Sequence, residues 1–148
     1  MLGGSPEVFT LLAGAGCRSY TAYSYLHISG VTVVGSQTMT IALEQNNAQC
    51  DSSVAPYPET WGGVDLRRYL QPSGDVWIPL SHFRINLNRL AALSFKSLFD
   101  TSQISLGRIE FTTALGAGVV VPAIAKQSPL YFHCVDPNVI ALCIDDGM

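Results

Sequence analysis

The amino-acid sequence predicts a mainly β protein in which two antiparallel sheets form a sandwich, and three observations support this. Apolar and polar residues alternate over short stretches, most clearly in 38–44, 75–80 and 109–112. Turn-forming pairs such as Ser29-Gly30 separate the stretches, and helical periodicity is rare. Alternating strands bury one face and expose the other, as antiparallel sheets do, and many short strands between turns are typical of sandwiches.

In chain order, the pattern predicts strands at 8–12, 20–25, 38–44, 75–80, 90–99 and 109–112. Tyr20, Tyr23 and Tyr25 alternate along the second of these strands, and such an aromatic stripe indicates a half-buried sheet face. Residues 86–93 allow a short helical turn, which two asparagines weaken. Proline and glycine predict an exposed loop at 57–63.

Composition limits the class of protein. Hydrophobic residues make up 48% and charged residues 13% of the 148 residues, so we expect a folded domain rather than a disordered chain. The net charge is -3, and the sequence has no cluster of Lys and Arg that could bind along a phosphate backbone. Both features argue against nucleic acid as a partner. No apolar stretch approaches the ~20 residues that cross a bilayer, so we expect no membrane insertion. No signal peptide is visible, because the first seven residues contain an acid and no Lys or Arg.

The four cysteines are Cys17, Cys50, Cys134 and Cys143, and their spacing is not that of a zinc site. Cys17 and Cys50 lie beside turn-like stretches, which makes them the candidate disulfide pair. Free thiols are the alternative, and secretion would favour the bridge.

The character of the sequence changes near residue 126. Residues 139–144 are a continuous apolar run, which is typical of a strand buried on both faces in a parallel sheet. The run ends at Asp145-Asp146-Gly147, where paired carboxylates can bind a metal ion and act as a base on its water. A simple Asp-Gly turn is the alternative. We therefore predict a β-sandwich at 1–113, a linker at 114–130 and the isolated first strand of an α/β domain at 131–148.

The residues from Cys134 to Gly147 carry a resemblance to a known family. A cysteine, a Pro-Asn segment, an apolar strand and Asp-Asp-Gly resemble the opening of the NodB-type polysaccharide deacetylase domain, as found in fungal chitin deacetylases. The resemblance implies that Asp145 is the general base and that Asp146 binds Zn²⁺ or another divalent metal in the full-length protein. Cys143, Ile144 and Met148 depart from the family, which has Thr or Ser, an aromatic residue and Pro there.

The histidines that complete the family's metal site belong to a later His-x-x-x-His motif. His27, His82 and His133 all precede Asp145, and no two of them have that spacing. We therefore expect a fragment that binds no metal and has no deacetylase activity by itself. By the resemblance, the full-length protein is secreted or in the cell wall.

Residues 6–113 resemble galactose-binding-like jelly rolls, which are accessory domains of fungal carbohydrate-active proteins. The resemblance rests on segments such as 76–83, with its Ile-Pro-Leu-Ser run, and implies a polysaccharide partner such as chitin. Trp61 and Tyr57 in the predicted loop, and Trp77 on the polar face of its strand, are the candidate rings for stacking on sugars. A tryptophan that packs across the sandwich edge is the alternative. The second hypothesis for function is a free-standing lectin or adhesion module.

Overall fold

A computed structural model describes residues 7–11, 16–36, 38–51, 53–54, 60–98 and 104–124. These residues form a mainly β protein with antiparallel sheets, so the predicted fold class is confirmed. The α/β strand and the domain start predicted at 131–148 lie outside the described residues.

Most of the described strands belong to two main sheets. In chain order they are β1 (Glu7–Leu11), β2 (Tyr25–Ile28), β3 (Thr32–Val33), β4 (Thr40–Gln45), β5 (Thr60–Asp65), β6 (Val76–Pro79), β7 (Leu90–Leu98), β8 (Ile104–Ser105) and β9 (Ile109–Thr112). The helical elements in this part of the chain are α1 (Leu66–Tyr69) and two 3-10 turns, Leu80–Phe83 and Leu87–Arg89.

The larger sheet has the order β1-β7-β4-β5, and the smaller one has the order β6-β2-β9. Strands β3 and β8 form a separate pair. The chain crosses repeatedly from one sheet to the other, as it does in jelly rolls. Among the described strands, β5 lies at one end of the larger sheet, so it pairs with β4 on one side only.

The core lies between the two main sheets. Alternate side chains of β4 and β7, such as Ile41, Leu43 and Phe95, meet Leu26 and Ile78 from the smaller sheet. All five are at most 1% exposed, and each buried side chain of this size contributes roughly 1.5–3 kcal/mol. The hydrophobic alternation in the sequence therefore marks the inward face of these strands.

The sequence located most strands within one or two residues but was wrong at β5. It predicted an exposed loop at 57–63, whereas 60–65 form a strand paired with β4 along its whole length. Glycine usually weakens a strand interior, but it is tolerated where another backbone approaches closely. That is the case at Gly62, so a sequence typical of a loop forms an edge strand. The second strand also begins later than predicted, at Tyr25, because a turn occupies 20–23.

A disulfide joins Cys17 to Cys50, the pair that the sequence had singled out as candidates. It connects the segment before β2 to the loop after β4, which are 33 residues apart in the chain. Nearby, the backbone of Arg18 pairs with that of Leu90 at the start of β7. The bridge thus ties two loops at one end of the larger sheet.

Residues 114–124, within the predicted linker, lie against the sandwich. Gly116 contacts the indole of Trp77, and Gln71 donates a hydrogen bond to the carbonyl of Val120. Arg68 donates to the carbonyl of Ala123. Among the described residues, no helix is long and apolar enough to cross a membrane.

Candidate functional site

A groove of about 440 Å³ runs along β5, between that strand, α1 and the Leu80–Phe83 turn. This volume falls in the range of ~300–1,000 Å³ that is typical of small-ligand sites. Its lining combines an aromatic ring, a phenol, an imidazole and two guanidinium groups. They belong to Trp61, Tyr69, His82, Arg68 and Arg84.

Two glycines of β5 shape the floor and rim of the groove. A Cβ on Gly62 would lie 1.6 Å from the carbonyl oxygen of Phe83, so only glycine lets the turn approach the strand this closely. A Cβ on Gly63 would lie 2.7 Å from the ring of Trp61 and equally close to a methyl group of Thr40. The bare backbone at Gly63 therefore leaves room for the indole beside it.

The short helix α1 brings Arg68 and Tyr69 to one end of the groove. Asp65 caps it, because its carboxylate accepts hydrogen bonds from the backbone N–H of Arg67 at 2.8 Å and from the Thr38 hydroxyl at 2.6 Å. Leu66 and Tyr69, three residues apart, share the buried face of this turn. Arg68 consequently points outward, and its guanidinium lines the groove.

The Leu80–Phe83 turn supplies the opposite wall. Leu80 and Phe83 anchor it in the core, each at most 2% exposed, while His82 lies on its outer side. The turn ends at Arg84, whose backbone is left-handed with φ 54° and ψ 37°. Glycine or asparagine is the usual residue in this conformation, which an arginine adopts only at some cost.

Tyr69 and His82 form a hydrogen-bonded pair in the groove, with 2.8 Å between the phenol oxygen and Nδ1. Burial raises the pKa of Tyr69, only partly offset by the charge of Arg68. Burial also lowers the pKa of His82, and the positive charges of Arg68 and Arg84 lower it further. Both groups are therefore neutral near pH 7, and the pair is satisfied when the phenol donates to Nδ1.

Trp61 stands at the rim of the groove and is 52% exposed. The Lys96 ammonium lies 4.3 Å from the centroid of its ring, a cation–π contact. Glu44 is opposite Trp61 in the pairing of β4 with β5. Its carboxylate lies 3.1 Å from the Lys96 ammonium and accepts a hydrogen bond from the Ser94 hydroxyl at 2.7 Å. The indole is thus fixed in orientation while half of it remains accessible.

Trp77, the other candidate ring, is a packing residue. It is 9% exposed, and it stacks on His27 with 3.9 Å between ring centroids. His27 is itself held by Glu110, 2.9 Å from Nδ1, and Gly116 lies against another part of the indole. The alternation correctly put Trp77 on the side away from the core, but Gly116 and the neighbouring strand β2 cover it there. No free face remains for a sugar.

The remaining candidates, Tyr57, Asp145 and Asp146, lie outside the described residues. Within the described ranges, no group of three or more His, Cys, Asp or Glu side chains could hold a metal ion. The described side chains therefore do not fit the Zn²⁺ or other divalent metal that the family resemblance implies, and we derive no chemical step through a metal.

Of the groove residues, the sequence singled out only Trp61. Arg68 was not among the candidates, and His82 was noted only as a histidine that lacks the spacing of the metal-site motif. Tyr69 and His82 are thirteen residues apart and meet only because α1 and the Leu80–Phe83 turn flank the same strand. No local pattern signals that contact. The nearest sign of the groove in the sequence was Asp65, a residue type that caps helices, with Arg67 and Arg68 shortly after it.

Comparison with known proteins gives no match to a family model, to a curated protein or to a solved structure.

The lowered pKa of His82 predicts a pH dependence of stability. The unfolded chain binds a proton at this histidine near pH 6.5, whereas the folded protein binds it only at lower pH. The free energy of unfolding should therefore fall as pH drops from about 7.5 through the folded pKa. The change is modest, because the imidazole is partly exposed. His82→Gln should flatten this part of the curve, measured by urea unfolding between about pH 5 and 7.5. A difference between the two proteins that does not vary with pH would contradict the prediction.

Proposed function

We propose that this chain contains a carbohydrate-binding β-sandwich domain whose glycan site is the groove beside β5. The observation that carries the proposal is Trp61, a half-exposed indole held by Lys96 at the rim of a groove with polar and charged walls. Flat aromatic rings offer apolar area at low entropic cost, which suits the apolar faces of pyranose rings.

The other groove residues suit the hydroxyl groups of a sugar. Tyr69 and His82 offer a neutral hydrogen-bonding pair, and Arg68 and Arg84 offer several N–H donors. The groove runs along β5 and is open to solvent, so a long chain can lie in it. A polymer therefore fits this site better than a small molecule that is enclosed on all sides.

We also propose that the domain accompanies a polysaccharide deacetylase, secreted or in the cell wall. This part rests on the resemblance of 134–147 to the opening of NodB-type domains, where Asp145 matches the base and Asp146 a ligand of Zn²⁺ or another divalent metal. A reading frame that continues into a His-x-x-x-His motif would support it, and an intact transcript that stops after Met148 would favour a free-standing lectin.

Trp61→Ala should weaken glycan binding about tenfold or more, because it removes the stacking surface, a loss of about 1.4 kcal/mol or more. Isothermal titration of the purified domain with chitin oligosaccharides and with oligomers of other sugars measures the affinity. Quenching of tryptophan fluorescence reports contact with the indole.

Tyr23→Ser is the matched control. Tyr23 is 40% exposed and packs on Phe111 away from the groove. Its replacement therefore also removes an exposed aromatic ring, but one that lies outside the proposed site. It should leave glycan affinity within twofold of wild type. If no glycan binds to the wild-type domain, or if Trp61→Ala binds as well as wild type, the proposed site is wrong.

A further inference from the structure

The hydrogen bond between Tyr69 and His82 determines which atoms of the pair are left for a ligand. Tyr69 is 1% exposed, and in the part of the chain that the structure describes its phenol oxygen has one hydrogen-bond partner, Nδ1 of His82 at 2.8 Å. A buried hydroxyl whose hydrogen finds no acceptor costs free energy, so the phenol donates to Nδ1. The phenol hydrogen is therefore used by the imidazole and is not available to a ligand.

The same bond fixes the hydrogen of the imidazole ring. A neutral imidazole carries one N–H, so when Nδ1 accepts a hydrogen bond the hydrogen is on Nε2. The rings of Tyr69 and His82 also meet edge to face, with 5.7 Å between their centroids and 61° between their planes, which holds the tilt of the imidazole. The Nε2–H group of His82 is consequently a hydrogen-bond donor with a defined direction.

The fold places this donor at the groove. Leu80 and Phe83 anchor the turn in the core, and His82 on its outer side lines the groove. Because Nδ1 is bonded to Tyr69, Nε2 is the ring nitrogen that is left for a ligand. A binding group whose orientation is held by a buried neighbour loses little freedom when the ligand arrives, which favours affinity.

We propose that His82 binds the glycan by donating a hydrogen bond from Nε2, and that Tyr69 is the positioning residue that holds this donor in place. The ligand group beside His82 must then be an acceptor, such as a hydroxyl, ether or carbonyl oxygen. A group that only donates, such as an ammonium, is disfavoured there. The inference rests on the proposed glycan-binding function and adds to it a polar contact that selects the ligand.

The first experiment detects the donor by NMR of protein with isotope-labelled histidine, at about pH 7.5, where His82 is neutral. The nitrogen spectrum should show a hydrogen on Nε2 of His82 and none on Nδ1, and the loss of these signals in His82→Gln identifies them. A chitin or cellulose oligomer should shift Nε2 more than Nδ1 and slow the exchange of the Nε2 hydrogen with water. A hydrogen on Nδ1 in the free protein, or a change on binding that is confined to Nδ1, overturns the inference.

The second experiment compares two neutral amides at position 82 by isothermal titration with the same oligomers. Only glutamine is long enough to put an N–H donor near the position of Nε2, so His82→Gln should bind within about threefold of wild type and His82→Asn about fivefold or more weakly. Tyr69→Phe keeps the ring and removes the phenol oxygen, and it should weaken binding about threefold or more because the imidazole is released. Ser81→Ala, at an exposed residue of the same turn outside the groove, is the matched control and should bind as wild type does.

The outcomes separate this inference from the proposed function. Weaker binding by His82→Asn and Tyr69→Phe, with His82→Gln close to wild type, supports both. Equal affinity of His82→Asn and His82→Gln, while Trp61→Ala still loses binding, overturns the inference and leaves the stacking site in place. Binding of no oligomer by the wild-type protein overturns the proposed function itself.

Discussion

We expect Gly62→Ala to destabilise the protein by about 3 kcal/mol or more, or to prevent folding. The new Cβ would lie 1.6 Å from the carbonyl oxygen of Phe83 and 2.6 Å from its carbon. Both are backbone atoms, so no side-chain rotation relieves the overlap. The Leu80–Phe83 turn must move away from β5, and Leu80 and Phe83 then lose their buried positions. Urea unfolding followed by circular dichroism measures the loss.

The neighbouring Gly63→Ala is the matched control. Its Cβ meets only side-chain atoms at 2.7 Å, of Trp61 and Thr40, and side chains shift at lower cost than the Phe83 backbone. Alanine also restricts the unfolded chain, which offsets part of the strain, so stability should stay within about 1 kcal/mol of wild type. The indole would be displaced, which changes its fluorescence and weakens glycan binding. Equal stability of the two variants would contradict the close approach of the turn to Gly62.

The sandwich was predictable because its core strands obey a local rule. In β4 and β7, residues two apart face the same side, and apolar residues occupy the inward positions. Strand β5 escaped prediction because its sequence, Trp61-Gly62-Gly63, is shaped by a tertiary contact. Glycine is required there by the backbone of a turn that lies some twenty residues later in the chain. A rule based on local propensity takes such a stretch for a loop.

The groove was predictable only at Trp61. A large aromatic residue next to glycines is visible in the sequence, but whether its ring is exposed depends on what covers the sheet. Trp77 illustrates the difference, since it also points away from the core and is covered by His27 and by residues near Gly116. The hydrogen bond between Tyr69 and His82 depends on two separate turns flanking β5, and no sequence period encodes that arrangement.

Removing the disulfide with Cys17→Ala and Cys50→Ala should lower the free energy of unfolding by about 3–4 kcal/mol. The bridge closes a loop of 33 residues, and a crosslink of that span restricts the unfolded chain by an amount of this size. Alanine keeps a Cβ at both positions. The backbone strain at Cys50, with φ 56°, is therefore retained, and the difference reports the crosslink alone.

The control is wild-type protein treated with dithiothreitol, because reduction breaks the same bridge without changing any side chain other than the two thiols. It should unfold at the urea concentration of the double variant. Loss of the bridge should lower the unfolding midpoint and raise the dependence of stability on urea, since an unfolded chain without the crosslink exposes more surface. Peptide mapping of protein from a secreting host should find Cys17 bound to Cys50. If both thiols are free there, or if the double variant is as stable as the oxidised wild type, the bridge does not stabilise this fold.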